Sequence, residues 1–201
     1  MVTEAIARVD RQVVAVILAG GQGRRMGGVD KAMVSLAGRP LFAHVAARIG
    51  PQVAQLAISA NGDPLRFAPF PVLPDAPARR GEGPLAGVLS ALYWAEAQGA
   101  RAVLSVPVDT PFLPGDLVSR LSGAGHAIAC SQGRAHPSVA LWPVRLRPRI
   151  ESLFAQGERR LRMACEGARE IDFDATPDPF TNLNTPEDLS AAELILARGM
   201  P

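Results

Sequence analysis

The sequence predicts a three-layer α/β fold with a doubly wound, mostly parallel sheet. Short apolar runs rich in β-branched residues alternate with helical segments over at least the first two thirds of the 201 residues. The first run, VVAVILA at 13–19, is apolar throughout, as expected of a strand that is buried on both faces. It stops at Gly20 and Gly21, where a glycine-rich basic loop begins.

The next elements each have a local signal. A helix is expected over 40–49 because this segment begins with a proline, which favours the first helical position. A strand is expected over 54–60, since the turn-forming sequence Asn-Gly-Asp-Pro follows it at 61–64. A short strand at 70–73 then leads into a loop rich in Pro, Gly and Arg at 74–83.

The helix expected over 84–98 has a regular apolar face. Its residues Leu85, Val88, Leu89 and Leu92 follow the i, i+3, i+4, i+7 spacing, between a proline at the start and a glycine after the end. The remaining expected strands are 102–106, 126–130, 138–142 (after a turn at 132–134) and 169–173, and the remaining helices are 116–121, 146–155, 159–166 and one from Thr185.

The composition is that of an ordinary globular protein. Hydrophobic residues make up 48% and charged residues 20%, a balance that excludes a disordered chain. The net charge of +2 is too close to neutral for a protein that binds nucleic acid through charge, so we expect no nucleic-acid partner. We expect a single domain over 1–201, with 1–12 as an N-terminal extension.

Cysteine content and hydropathy predict the compartment. Cys130 and Cys165 form no C-x-x-C pair, which excludes a disulfide scaffold and a cysteine zinc site and is typical of a reducing environment. The apolar run at 13–19 is far shorter than the ~20 residues that span a bilayer. The first twelve residues lack the apolar region of a signal peptide, so we expect a cytoplasmic protein with no membrane partner.

The most informative segment is LAGGQGRRMGGVDK at 18–31. Its five glycines and the cations Arg24, Arg25 and Lys31 directly follow a buried strand, which predicts a phosphate-binding loop. A dinucleotide-binding loop would have glycine where Met26 stands, and a P-loop would have glycine directly before its lysine. The alternative interpretation is a surface loop with solvated arginines.

Lys31 and Asp109 strengthen the phosphate-site prediction. Lys31 is the only lysine among 21 cationic side chains, which indicates a position that needs a compact ammonium group, unless chance preserved it. Asp109 follows the strand at 102–106, at the edge where open α/β sheets bind ligands. A carboxylate beside phosphates needs a bridging cation, and its hard oxygens suit Mg²⁺. The alternative is a turn aspartate that hydrogen-bonds its own backbone.

Other polar residues are weaker candidates. Asn61 is either a turn residue or an amide offered to a base or ribose, and His136 either approaches a substrate or is a plain loop histidine. Asp75 has a simple interpretation as a surface partner of Arg79 or Arg80.

The segment NLNTPEDL at 182–189 is expected to start a helix, with Thr185 and Asp188 forming a capping box around a proline at the first helical position. Asn182 and Asn184 lie just outside this cap and remain free for function.

These motifs together resemble one family. The segment 18–31 closely resembles the N-terminal signature of nucleotidyltransferases, and most closely that of the molybdenum cofactor guanylyltransferases, whose fold is Rossmann-like. The resemblance spans nearly the whole chain after about residue 12 and continues through LAGRPLFAHV at 36–45, SANGD at 59–63, GPLAGVLSAL at 83–92, PVDTPFLP at 107–114, HPSVALW at 136–142, GERR at 157–160 and NLNTPEDL at 182–189.

The resemblance implies a reaction and a set of site residues. The reaction is transfer of GMP from GTP to the terminal phosphate of the molybdopterin cofactor, with Mg²⁺ and release of pyrophosphate. By position, the backbone of Leu18, Ala19 and Gly20 would meet the guanine end of GTP, and Gly21 is a further GTP-binding residue. Lys31 would meet the phosphates, Asn61 and Asp75 the nucleotide, and Asp109 both nucleotide and Mg²⁺. Asn182 and Asn184 match a family motif near the pterin side, where His136 is a further candidate.

The expected mechanism is in-line attack by a molybdopterin phosphate oxygen on the α-phosphorus of GTP, because phosphoryl-type transfer needs positioning and charge neutralisation rather than a covalent residue. Arg24, Arg25 and Lys31 would stabilise the departing pyrophosphate, with Mg²⁺ on Asp109.

The sequence alone leaves other functions open. The related cytidylyltransferases resemble LAAG without the GG-x-DK of residues 27–31, other small-molecule nucleotidyltransferases are more distant, and no hexapeptide repeats are present. A module of a different class would bind the nucleotide without catalysis and deliver the cofactor to molybdoenzymes or their chaperones.

Overall fold

The computed structural model describes residues 12–20, 22–23, 29–76 and 79–199, and the expected order of strands and helices is present there. The strands are β1 (Val13–Leu18), β2 (Gln22–Gly23), β3 (Val29–Asp30), β4 (Ser35–Leu36), β5 (Arg39–Pro40), β6 (Leu56–Ser59), β7 (Val72–Leu73), β8 (Ala102–Pro107), β9 (Ala127–Ser131), β10 (Arg134–Pro143) and β11 (Arg169–Asp172). The helices are α1 (Leu41–Ile49), α2 (Pro84–Ala97), α3 (Leu117–Ser122), α4 (Arg147–Ala155), α5 (Leu161–Ala164) and α6 (Pro186–Ala197), with short 3-10 helices at Lys31–Met33, Gly50–Gln52, Pro64–Phe67 and Val144–Leu146.

The main sheet has the strand order β11-β9-β10-β8-β1-β6-β7. Its strands are parallel except β10, which pairs antiparallel with both β8 and β9. The predicted mostly parallel sheet is therefore confirmed. β10 is also longer than the expected strand at 138–142, because its first residues pair with the end of β9 across the turn.

Side chains of β1 alternate between two cores. Ile17 packs in the core that includes Phe42 of α1 and Leu117 of α3, whereas Val16 packs in the core that includes Leu89 of α2. Both Ile17 and Val16 have no exposed surface, because helices cover each face of the sheet. This arrangement is the three-layer architecture that the continuous apolar run predicted.

The helix expected over 159–166 is shorter in the structure, where α5 covers only Leu161–Ala164. The carboxylate of Glu158 accepts hydrogen bonds from the backbone N–H groups of Arg159 and Arg160, at 2.8 and 2.9 Å, and from the Arg160 side chain. These bonds hold the two arginines outside the helix. They also lower the pKa of Glu158 to about 2, chiefly through the Arg160 side chain.

No helix in the described part of the chain combines the length and the apolar character needed to cross a membrane. Both cysteines are buried and free of disulfide bonds, as expected.

Candidate active site

The polar candidates lie at the carboxyl edge of four parallel strands. Leu18 of β1 stands opposite Ser59 of β6 and Pro107 of β8, and Ser59 stands opposite Leu73 of β7. The four strands therefore end at one level. Gly20, Asn61, Asp75 and Asp109 each follow two residues beyond these in-register ends. Ligands of open α/β sheets bind in the crevice outside this edge.

Lys31 and Asp109 form the centre of this edge. The Lys31 ammonium group donates to Oδ2 of Asp109 at 2.6 Å and to Oδ1 of Asn184 at 2.5 Å. The Lys31 and Asp109 side chains are only 18% and 17% exposed, so their attraction is less screened than that of a surface pair. Lys31 begins a single helical turn that Asp30 caps by accepting from the backbone N–H of Ala32 at 3.1 Å.

The start of α6 positions Asn184. The predicted capping box is present: Thr185 accepts from the backbone N–H of Asp188, whose carboxylate accepts from the backbone of Thr185. The same carboxylate accepts from the backbone N–H of Asn184 at 2.8 Å, and this bond is the main reason why the pKa of Asp188 is lowered. Leu183 donates its backbone N–H to the carbonyl of Asp109 at 2.9 Å. The cap therefore also holds Asn184 against Asp109.

Asn61 and Asp75 hold each other. The Asn61 amide donates to Oδ2 of Asp75 at 2.8 Å, and the Asp75 backbone N–H donates to Oδ1 of Asn61 at 3.2 Å. The backbone of Gly81 adds a longer bond to the Asp75 carboxylate at 3.3 Å. Arg79 instead lies over the ring of Phe154, at 5.2 Å from its centroid. Among the described residues, Asp75 makes no ion pair with Arg79 or Arg80, the simple interpretation considered above.

His136 lies in a separate cluster at the start of β10. Its Nε2 is 2.8 Å from Oγ of Ser131, and this hydroxyl donates to Oδ1 of Asp178 at 2.9 Å. A serine hydroxyl has one proton, so Ser131 accepts a bond from Nε2–H while it donates to Asp178. The His136 ring also packs on Phe180. Burial lowers the pKa of His136 despite the opposing charge of Asp178.

The backbone after β1 is open at Gly20. Ala19 donates to the carbonyl of Ser59 at 2.9 Å, which extends the ladder one residue beyond Leu18. Gly20 is exposed, and a Cβ built on it would meet no atom within 4 Å. Asn182 is also exposed, beside the Asn184 site. The predicted site residues Gly21, Arg24 and Arg25 lie outside the described residues.

The donor set at the centre fits a hard divalent cation. The Asp109 carboxylate and the Asn184 amide oxygen both approach the Lys31 ammonium, so two oxygen donors converge on one positive charge. Within the described ranges, no three His, Cys, Asp or Glu side chains group closely enough to hold a metal by themselves. Mg²⁺ is commonly bound by one or two protein oxygens together with substrate phosphates and water, so two oxygens are a donor set of the kind that this ion takes.

Two residues of these side-chain clusters, Arg66 and Asp178, were not found from the sequence. Arg66 pairs with Asp30 at 3.1 Å, beside the Lys31 turn, and Asp178 fixes Ser131 next to His136. No local motif marks Arg66, because its partner belongs to a different part of the chain.

The model of the MobA-like NTP transferase domain family matches residues 15–171, which include most of the main sheet. The chain belongs to this family. The MobA-like segment contains Lys31, Asn61, Asp75 and Asp109, whereas Asn184 lies beyond its end.

A named relative supports the resemblance to the molybdenum cofactor guanylyltransferases. The molybdenum cofactor guanylyltransferase of Rhodobacter capsulatus is 54% identical over 191 residues, covering 94% of this chain and all of the relative. This identity confirms the predicted resemblance to the molybdenum cofactor guanylyltransferases.

Solved structures confirm the fold. Molybdopterin-guanine dinucleotide biosynthesis protein A from Archaeoglobus fulgidus matches this MobA-like chain with a TM-score of 0.71 at 23% identity, covering 92% of this chain and 99% of that one. 4-Diphosphocytidyl-2C-methyl-D-erythritol synthase from Anaerococcus prevotii matches with a TM-score of 0.72 at 13% identity, covering 94% and 97%. Two proteins with such different names share this fold, so the fold alone does not decide the nucleotide.

Proposed function

We propose that this chain transfers GMP from GTP to the terminal phosphate of the molybdopterin cofactor and releases pyrophosphate. The observation that carries the proposal is the contact of Lys31 with Asp109 and Asn184 at the carboxyl edge, at 2.6 and 2.5 Å. The high identity to a named guanylyltransferase supports guanine over other bases.

GTP lies along the edge of the sheet in this proposal. Its guanine end meets the backbone of Leu18, Ala19 and Gly20 together with Gly21, and the open space at Gly20 supports a close approach. Asn61 and Asp75 contact the nucleotide from the neighbouring strand ends, where their mutual bonds hold both side chains in place.

Lys31 binds the phosphates. An ammonium group has three N–H donors, and Asp109 and Asn184 accept two of them in the described structure, which leaves one to reach a phosphate oxygen. The charge of Lys31 is already balanced by Asp109, so a triphosphate requires further positive charge at the site. Arg24 and Arg25 supply part of it in this proposal, by stabilising the departing pyrophosphate.

Asp109, with the amide oxygen of Asn184, would hold Mg²⁺. The ion supplies neutralisation of the negative charge on the phosphates when it is bound. The chain's own residues position the reactants: the strand ends orient GTP, and Lys31 holds its phosphates in line for attack by the acceptor phosphate oxygen.

The acceptor lies on the side of Asn182, Asn184 and His136. The segment from Asp178 to Asn184 supports this placement, because it contacts the His136 cluster through Ser131 and the backbone of Asp109 through Leu183. Action in the cytoplasm, and delivery of the product to molybdoenzymes or their chaperones, complete the proposal.

The decisive test is nucleotide choice. Purified protein is incubated with molybdopterin cofactor, Mg²⁺ and each of the four nucleoside triphosphates, and released pyrophosphate and the dinucleotide product are measured. We expect product with GTP above the other three. Product with CTP but not GTP would favour a cytidylyltransferase, and GTP binding without turnover would favour a delivery module.

A further inference from the structure

Arg66 connects the Lys31 turn to the end of β6. We propose that Arg66 is a positioning residue that fixes Lys31 and Asn61 relative to each other. Arg66 thereby sets the distance between the contact of Lys31 with the phosphates and the contact of Asn61 with the rest of the nucleotide. This inference rests on the proposed function in taking the ligand to be a nucleoside triphosphate.

Three different partners hold the Arg66 guanidinium. Its Nη1 is 3.1 Å from Oδ2 of Asp30, and its Nη2 donates to the backbone carbonyl of Asn61 at 2.8 Å. The group also lies over the Phe67 ring, 4.8 Å from the centroid. Phe67 is fully buried and packs edge-on against Phe42 of α1, at 5.2 Å between centroids. The guanidinium is therefore anchored to the core as well as to both site segments.

Asp30 connects Arg66 to the helical turn that begins with Lys31. Its Oδ1 caps the turn that begins with Lys31, by accepting from the backbone of Ala32, while its Oδ2 faces Arg66. Asp30 is the residue directly before Lys31, so the position of its carboxylate limits the direction in which the lysine leaves the backbone.

Asn61 is the second site residue that Arg66 contacts. Arg66 binds its carbonyl, and Asp75 binds its side chain at both the amide nitrogen and the amide oxygen. The contacts thus run without a break from the Lys31 turn through Asp30, Arg66 and Asn61 to Asp75.

The Asp30–Arg66 pair is partly shielded from water. Both side chains are 31% exposed, and Oδ2 of Asp30 is itself buried with no hydrogen-bond partner in the described structure, so its 3.1 Å approach to Arg66 is an ion pair rather than a hydrogen bond. Removal of Arg66 would leave this carboxylate oxygen without its cationic partner, so Asp30 would shift toward solvent or toward Lys31. Either shift moves the lysine, which separates this role from that of a simple surface ion pair.

The test compares Arg66→Ala with wild type, using GTP affinity measured by calorimetry without acceptor, and KM and kcat measured with it. We expect the dissociation constant and KM for GTP to rise about three- to thirtyfold, the usual range for coupled contacts, with kcat changed less than KM. Arg66→Lys should recover only part of the loss, because an ammonium group lacks the planar fork that reaches two partners.

Arg147→Ala is the matched control. Arg147 pairs with Glu151 at 3.0 Å and lies over Tyr93 at 4.9 Å from the ring centroid, nearly the same contacts as those of Arg66. It also pairs with Glu96 in the last turn of α2, which is the end of that helix remote from the carboxyl edge. We expect this variant to lose two ion pairs, where Arg66→Ala loses one, and still to bind GTP as wild type does.

A double-mutant cycle with Asp30→Ala completes the test. If Arg66 acts through Asp30, the double variant weakens GTP binding by less than the product of the two single effects. Unchanged GTP affinity in Arg66→Ala, or independent effects in the cycle, would overturn the inference. The comparison uses whichever nucleoside triphosphate wild type binds; absence of GMP transfer by wild type overturns the proposed function instead, and absence of any nucleotide binding overturns both.

Discussion

At the scale of single residues, the site depends on how Lys31 is shared between two oxygen acceptors. Asp109 lies 78 positions away in sequence and Asn184 lies 153 positions away, yet both contact the same ammonium group. Asp109 supplies a negative charge and Asn184 an uncharged oxygen, so the charges of Lys31, Asp109 and Asn184 balance. Under the proposed function, a triphosphate approaches this group without strong repulsion.

Asp109→Asn tests the carboxylate. The substitution keeps the size of the side chain but removes the charge that pairs with Lys31 and would hold Mg²⁺. We expect turnover to fall about 10²–10³-fold, the usual cost of removing one group that stabilises developing charge. The measurement is GTP-dependent pyrophosphate release across a Mg²⁺ titration.

Asp116→Asn is the control for this experiment, since the Asp116 side chain is 59% exposed and its carboxylate makes a longer ion pair, with Arg120 at 3.7 Å. It should leave the titration unchanged. Near-normal turnover of Asp109→Asn at limiting Mg²⁺ would contradict the metal assignment.

The sequence identified the residue types of the site but not its contacts. Lys31, Asp109, Asn61 and Asp75 were candidates because each follows a strand or lies in the glycine-rich loop, and a parallel sheet brings strand ends together. Arg66 was not a candidate, since its pairing with Asp30 is a tertiary contact that no local pattern encodes.

At the scale of elements, close packing of α2 against the ends of β1 and β6 shapes the floor of the site. A Cβ built on Gly87 of α2 would lie 2.5 Å from Oγ of Ser59 and 3.1 Å from Cδ2 of Leu18. Glycine is therefore required at this point of the helix for steric reasons, despite its low helix propensity.

Gly87→Ala tests this packing. The added methyl group meets Ser59 and Leu18 in a tightly packed region, so we expect a loss of about 1–3 kcal/mol in the free energy of unfolding, as for other overpacked cores. GTP affinity should also fall, because Leu18 and Ser59 end the strands that carry the site. Urea unfolding and calorimetry measure the two effects.

Gly123→Ala is the control for Gly87→Ala. Gly123, at the end of α3, has φ −68° and ψ −11°, which alanine adopts readily, and its Cβ would meet nothing within 4 Å. It should be neutral or slightly stabilising. Equal stability of the Gly87→Ala and Gly123→Ala variants would contradict the packing account.

Long elements were predicted well and short ones poorly. The strand at 13–19 and the helix at 84–98 were correct to within a residue, because their hydrophobic patterns match the layers that bury them. The two-residue ladders β2–β3 and β4–β5 were not predicted, since so few residues carry no periodicity. The capping box of α6 was correct, but its bond to Asn184 was not foreseen.

At the scale of the whole molecule, folding keeps one histidine uncharged. His126 packs against Trp142, with 5.1 Å between ring centroids, and its Nε2 is buried without a hydrogen-bond partner in the described structure. Burial lowers the pKa of His126 to about 4 from 6.5, and the positive charges of Arg149 and Arg145 add to the effect.

This shift predicts acid sensitivity. Above pH 6.5 His126 is neutral in both the folded and unfolded chain, but between pH 6.5 and about 4 only the unfolded chain gains the proton, so stability falls over that window. We expect His126 to contribute about 1–2 kcal/mol to the loss by pH 5, less than the full shift implies, since solvent screens part of it.

Urea unfolding of wild type and His126→Phe at pH 7.5 and 5.0 measures this contribution. Phenylalanine keeps a ring beside Trp142 and cannot be protonated, so the variant should lose less stability on acidification. Equal losses in the two proteins would contradict the assignment.

The fold and the family lead to nucleotidyl transfer in general, and the identity to a named guanylyltransferase leads to the specific reaction that we propose. The central claim is that Lys31, with Asp109, forms the phosphate-binding centre of a GMP transferase. The most direct measurement is GTP-dependent pyrophosphate release by Lys31→Ala and Lys31→Arg in the presence of molybdopterin cofactor and Mg²⁺, with urea unfolding to verify the fold. We predict a fall of about 10²–10³-fold in turnover for both variants, while each still unfolds cooperatively, because a planar guanidinium does not replace the compact ammonium held by Asp109 and Asn184. Wild-type kinetics in either folded variant would contradict the claim.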